Sequence, residues 1–320
     1  MSAVWISWDN HRRSREMSRE LDVPFTVIRR SKIPVVGVLV TLARTIRLLS
    51  KTEADTVIVQ NPSLLLTTVT CAMKKRRGFR VVQDLHSYFS LHIHKGVGLR
   101  GKVYRALSRY CIRHADVTVV TNPELKRVIE NCGGRGLVLQ DAIPSFPQAK
   151  GPAKDSERRV VYVCTYSEDE PVKEVLEAGR RLGGETTIYV TGRIPASLRT
   201  WSVPAGVKLT DFLSDQDYLD LLSGADAVMA LTTREHTLLC GAYEGLAFKK
   251  PLILSNKAAL RSYFGDKTLY VDNTAGAIVE GIRNLYSAKP FFDRHAADLA
   301  STLARDWTGR FSELRSFVHP

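Results

Sequence analysis

Short apolar, β-branched runs alternate with amphipathic stretches along the whole chain. In the first half, residues 3–7, 56–60, 80–84 and 117–121 are apolar at nearly every position, the pattern of parallel strands covered on both faces. Segments 13–21, 35–50, 63–77, 100–114 and 123–131 carry their apolar residues at helical spacing. The second half repeats the theme, with strands expected at 160–164, 186–191, 227–231 and 251–254 and helices at 171–182, 215–224 and 237–247. Such alternation predicts two α/β domains, each a doubly wound, Rossmann-like parallel sheet. Residues 144–159, rich in Pro and charge and without periodicity, read as the linker between them. The expected division is a domain over 1–150, a second over 156–300 and a helical tail over 301–320, with Trp307 and Phe311 as packing anchors.

Open parallel sheets bind ligands outside the carboxyl ends of their strands, so the chemistry is expected on the following loops, around a cleft faced by both domains. Residues 231–255 (LTTREHTLLCGAYEGLAFKKPLILS) stand out. A strand ends at Leu231, a polar loop follows, and a helix is expected from near Thr237, with Glu235 and His236 at its entrance and Glu244 about two turns in. The N–H groups at such a helix start, around Thr237, Leu238 and Leu239, suit an anion. Glu244 would accept hydrogen bonds from two neighbouring hydroxyls, as on a ribose; the plainer reading makes Thr233 a cap and Glu244 a solvated helix residue. In the first half, the turn after the first strand holds Asp9, His11, Arg12 and Arg13, suited to an acceptor or a phosphate through charge-assisted bonds. A capping role for Asp9 or Asn10 is the alternative. Asn61, after the second expected strand, is a further acceptor-side candidate, and Asp84, His86 and His92 cluster after the third.

Residues 231–255 resemble the donor-sugar region of glycosyltransferase family 4, whose pattern runs Glu, seven residues, Glu, then Ala-Met-Ala-Cys-Gly-Lys-Pro. Setting Lys250-Pro251 on the family's Lys-Pro places Glu244 on the ribose-binding Glu. The family's first Glu then falls on His236, with Glu235 one place earlier, and either residue would position the sugar. Residues 207–212 followed by 218–226 resemble the family's Gly-rich turn and next helix, and residues 115–122 its strand closing the first domain. The resemblance implies that His86 faces the donor sugar. Where the family supplies an Arg and a Lys for the donor diphosphate, this chain reads TYSEDEPVKEV: the Arg is absent, Lys173 lies far into its helix, and Arg193 is the candidate replacement. The Gly-rich loop common after the family's first strand is also absent.

Of the 320 residues, 44% are hydrophobic and 25% charged, which excludes a disordered or fibrous chain. The formal net charge of +13 is uneven: residues 1–155 hold 26 Lys and Arg against 12 Asp and Glu, whereas residues 156–320 hold 20 against 21. The excess lies in Arg29-Arg30 with Lys32, Arg44 and Arg47, Lys74 to Arg77 with Arg80, and Arg100 to Arg109. Basic residues beside an amphipathic helix favour an anionic bilayer; no nucleic-acid motif or aromatic stacking run accompanies them. The longest apolar stretch, 33–43, is far shorter than the ~20 residues a spanning helix needs. No signal peptide is read at the N-terminus, and five scattered Cys without a CxxC pair form neither a disulfide framework nor a zinc pattern.

The resemblance thus implies a GT-B arrangement and a nucleotide-sugar-dependent glycosyltransferase of hexosyltransferase type, retaining, working without metal or other cofactor on a UDP- or GDP-linked donor. The basic first domain would hold a lipid-linked or polysaccharide acceptor on the inner face of the cell membrane. The rival readings are a GT-B-type sugar-nucleotide epimerase and a non-catalytic GT-B-like subunit that binds polyanions.

Overall fold

The computed structural model describes residues 2–29, 34–60, 63–85, 98–146 and 157–320. The chain forms two units, one of Met1–Asp141 with Trp307–Pro320 and one of Ala142–Asp306. The division thus falls before the expected linker, whose residues 147–156 lie outside the described ones. Within the expected helical tail over 301–320, the last fourteen residues are part of the first unit.

The first unit carries six parallel strands: β1 (Ala3–Ser7), β2 (Phe25–Val27), β3 (Thr56–Gln60), β4 (Arg80–Asp84), β5 (Val117–Val120) and β6 (Gly136–Val138). They lie in the order β2-β1-β3-β4-β5-β6. Its helices are α1 (Arg12–Glu20), α2 (Pro34–Lys51), α3 (Leu64–Arg77), α4 (Leu99–His114) and α5 (Pro123–Asn131). Successive strand residues point to opposite faces, and both faces are covered. Ile6, Val57 and Val81 pack under Leu49 of α2 and Leu66 and Cys71 of α3. Their neighbours Trp5, Ile58 and Val82 pack on Met17 of α1 and on Phe311, Leu314 and Val318. This double burial is why the strands read as unbroken apolar runs.

The second unit carries β7 (Arg159–Tyr162), β8 (Thr187–Thr191), β9 (Val207–Asp211), β10 (Ala227–Ala230), β11 (Leu252–Ser255) and β12 (Leu269–Val271), in the order β12-β11-β10-β7-β8-β9, again parallel. Its helices are α6 (Val172–Leu182), α7 (Asp215–Ser223), α8 (Cys240–Ala247), α9 (Ala258–Phe264), α10 (Ala275–Ser287) and α11 (Lys289–Val318), the last running on into residues of the first unit. Two local expectations change. Residues 207–211, matched to a Gly-rich turn, form strand β9, and the helix expected from Thr237 starts at Cys240. No helix among the described residues is long and apolar enough to cross a membrane.

Candidate functional site

The order of the second sheet reverses between β7 and β10, the place where a doubly wound sheet opens a crevice at its carboxyl ends. The loops leaving β7 and β10 are fastened there by one carboxylate. Asp169 Oδ2 accepts from Thr232 Oγ1 at 2.6 Å, and its Oδ1 accepts from Ser167 Oγ at 2.8 Å and pairs with Arg234 Nη2 at 2.9 Å. Its main-chain oxygen takes the Thr233 N–H at 2.8 Å. Burial opposes the charge on Asp169, but Thr232, Ser167 and Arg234 outweigh it and hold the carboxyl below its ordinary value of 3.8.

The ends of β11 and β12 join the same network. Ser255 Oγ accepts from Thr232 N at 2.9 Å and donates to Asn273 Oδ1 at 2.6 Å, while Asn273 Nδ2 donates to Thr232 O at 2.9 Å. On the β7 side, Glu170 Oε2 accepts the N–H groups of Thr165 and Ser167 at 2.9 and 2.8 Å. Between them Tyr166 sits at φ 59°, a left-handed conformation that costs a non-glycine residue about 1–2 kcal/mol and marks a constrained turn. A cavity of ≈ 370 Å³ opens beside this loop, lined by Tyr166, Ser167, Lys173, Trp201, Thr233 and Asn273 among others. Lys173 Nζ stands 5.6 Å from the Trp201 ring centroid. Lys173 is therefore not too deep in its helix: α6 begins at Val172 and places it in the first turn, facing the cavity.

The start of α8 meets the same crevice. Because the helix begins at Cys240, Thr237, Leu238 and Leu239 precede it, with Leu239 as N-cap, and the N–H groups left over at a helix start shift to its first turn. Glu244 lies one turn further on, half-buried, and its Oε2 accepts from Tyr218 of α7 at 2.6 Å. Glu235 is paired with Lys257 at 2.7 Å, and His236 is half-buried in the loop. Arg193 does not join this group: its guanidinium lies 5.2 Å from the Phe212 ring centroid on the β8–β9 side, and it does not line the cavity. The cation that the sequence reading missed is Arg234, hidden because its partner Asp169 comes from a different loop.

In the first unit the main correction is Arg13, expected to meet an acceptor or a phosphate. Its side chain is only 3% exposed. Nε lies 3.1 Å from Asp84 Oδ1, Nη2 donates to Leu139 O at 2.9 Å, and Nη1 pairs with Asp141. Burial works against the charge, yet Asp84 and Asp141 raise the guanidinium above its usual range. Arg13 and Asp84 thus form a buried structural pair. Arg12 is engaged with Glu16 at 2.6 Å, His11 is the N-cap of α1, and Asp9 is exposed. In place of a Gly-rich loop, Ser7 and Ser14 hydroxyls brace the turn on Gln60 Oε1 at 2.8 and 2.7 Å. Asn61, His86 and His92 lie outside the described residues.

Residues 3–136, from β1 to the first residue of β6, match the family model described as a glycosyl transferase 4-like domain. No curated protein matches the chain. Among solved structures, sucrose-phosphate synthase from Thermosynechococcus elongatus superposes with a TM-score of 0.77 at 11% identity, covering 100% of this chain and 98% of its own. Anabaena HepE in complex with UDP gives 0.75 at 12% identity, covering 100% of both chains. A glycosyltransferase from Rickettsia africae gives 0.71 at 12%, covering 99% of this chain and 89% of its own. At these identities the likeness establishes the two-sheet architecture.

Proposed function

We propose that this chain, whose residues 3–136 match a glycosyl transferase 4-like domain, is a nucleotide-sugar-dependent hexosyltransferase whose second unit holds the donor and whose first unit holds a lipid-linked or polysaccharide acceptor. The observation that supports it most is the fastening of the β7 and β10 loops by Asp169 at the switch point, which gathers Arg234, Lys173, the start of α8 and Glu244 at the carboxyl end of one sheet. HepE has been solved with UDP and with UDP-glucose, which makes a uridine donor the first to test here.

In this reading the first-turn N–H groups of α8, with Arg234 and Lys173, stabilise the leaving diphosphate as negative charge grows on it. Asp169 holds Arg234 in place until the diphosphate takes up part of its hydrogen bonding. Glu244, steadied by Tyr218, accepts from the ribose hydroxyls. Glu235 or His236 orients the sugar, with His86 a further donor-contacting candidate that the family resemblance implies. Transfer proceeds with retention and without a metal ion, and the protein works peripherally on the inner face of the cell membrane.

Calorimetric titration with UDP, GDP, ADP and UDP-glucose tests the donor site. One base is expected to bind selectively, unaffected by EDTA, and Glu244→Ala to weaken it about 10- to 100-fold, the worth of one or two charged hydrogen bonds. Absence of binding by all four overturns the reading. Glu168, Asp169 and Glu170, standing where the family has cations, favour the second reading of a non-catalytic GT-B-like subunit. That reading requires that no donor sugar ever be turned over.

A further inference from the structure

α2, α3 and α4 form one layer over the sheet of the first unit, with α3 touching both neighbours. These helices of 18, 14 and 16 residues contain no Asp or Glu, and they expose Arg44, Arg47, Lys75, Arg76, Arg105 and Arg109. The opposite face is mixed, with Glu16 and Glu20 on α1 and Glu313 on α11. A basic layer by itself is a solvated surface. This one is also apolar: of the ten large hydrophobic side chains exposed among the described residues, seven lie on these three helices.

On α2 they form a stripe at helical spacing, Val36, Leu39, Val40 and Ile46, with Leu39 59% exposed, while Thr41, Thr45 and Leu49 turn inward. Leu65 opens α3, and Leu99 (78% exposed) and Val103 open α4. All strands of the sheet are parallel and each helix returns against them, so helix starts lie at the carboxyl ends of the strands. Six of these seven, all but Ile46, therefore lie towards the carboxyl ends of the strands. Arg47, Lys75, Arg76 and Arg109 lie further along the helices.

We propose that this face docks on an anionic bilayer, with the apolar starts of α2 and α4 sunk among the acyl chains and the Arg and Lys residues behind them on lipid phosphates. The proposal rests on the reading of a membrane-borne acceptor and adds an orientation, with the carboxyl end of the first unit's sheet turned towards the lipid. A nucleic acid would neutralise the charge but leave Leu39 and Leu99 in water. A second copy of the chain would bring like charge against like charge.

Sedimentation with vesicles of phosphatidylcholine, with and without phosphatidylglycerol, tests it. The protein is expected to bind only the anionic vesicles, and added salt to weaken binding without abolishing it. Leu39→Glu with Val40→Glu, and separately Leu99→Glu, should each lower binding at least about tenfold with melting temperature and nucleotide titration unchanged. Glu244→Ala should bind vesicles as the wild type does, so the donor reading and the docking reading fail separately. Docking is overturned if the wild type ignores anionic vesicles, if the Glu variants bind as well, if RNA binds where vesicles do not, or if the variants dissolve a dimer.

Discussion

Asp169 draws on Thr232, Ser167 and Arg234 at once, and its side chain is 12% exposed. Asp169→Asn removes a charge on which three donors converge, and the expected cost is about 2 kcal/mol, read as a shift in the urea midpoint. The pH dependence has a definite sign. A carboxyl depressed on folding contributes fully above its unfolded value of 3.8 and loses that contribution as pH falls through the folded one. The gap between wild type and Asp169→Asn should therefore stay level from pH 8 to 5 and close only below 3.8. A gap that closes near neutrality would mean another group carries the effect. Arg13 teaches the complementary lesson: its position in a basic turn suggested a ligand contact, yet its partners are Asp84 and Asp141, 71 and 128 residues away. Buried cysteines also keep to structural roles, since burial pushes the Cys71 thiol up to about 12 and that of Cys111 to about 11.

At the level of elements, the four strands that periodicity did not reveal are β2, β6, β9 and β12, the two edges of each sheet. An edge strand has a neighbour on one side only, three of these four are three residues long, and their burial is incomplete, so no continuous apolar run marks them. The eight interior strands were all legible within a residue or two. The spacing of the sequence puts the start of α8 three residues early because capping signals are weak there: Leu239 makes no side-chain cap bond. Packing sets the start instead. A Cβ on Gly241 would stand 2.7 Å from Val163 Cβ, so only glycine lets the first turn of α8 lie against the end of β7. Helix propensity favours Gly241→Ala by about 1 kcal/mol, but overpacking costs about 1–3 kcal/mol, and the clash is with an atom fixed to the backbone. The variant is expected to melt lower and, if the first-turn N–H groups hold the diphosphate as proposed, to bind nucleotide more weakly, because they move with the turn. A higher melting temperature would refute the packing argument.

At the scale of the whole chain, the end of the last helix completes the core of the first unit. Phe311, Leu314 and Val318 are at most 4% exposed and complete the core under Trp5, Ile58 and Val82, while Trp307 stacks on Phe311 at 4.6 Å and donates from Nε1 to Gln140 O. Each buried side chain of that size is worth about 1.5–3 kcal/mol, together most of the stability of an ordinary domain. Truncation after Asp306 should therefore leave the first unit open to limited proteolysis while the second stays resistant. Equal resistance of both would show the helix end to be dispensable.

Trp307 and Phe311 were legible as anchors, but not the unit they anchor, since periodicity shows that a helix has an apolar face and not what covers it. The sequence alone determined the alternation of elements, hence two parallel α/β sheets, the basic first half and the segment 231–255 with Glu244, because hydrophobic spacing, net charge and a short motif are local properties of a chain. Only the tertiary structure decided that Arg13 is buried, that Arg234 rather than Arg193 stands by the switch point, and that residues 307–320 belong to the first unit. Each of these depends on a partner far away in the chain, which is chosen when the sheets form and the crossovers bring distant loops to one end.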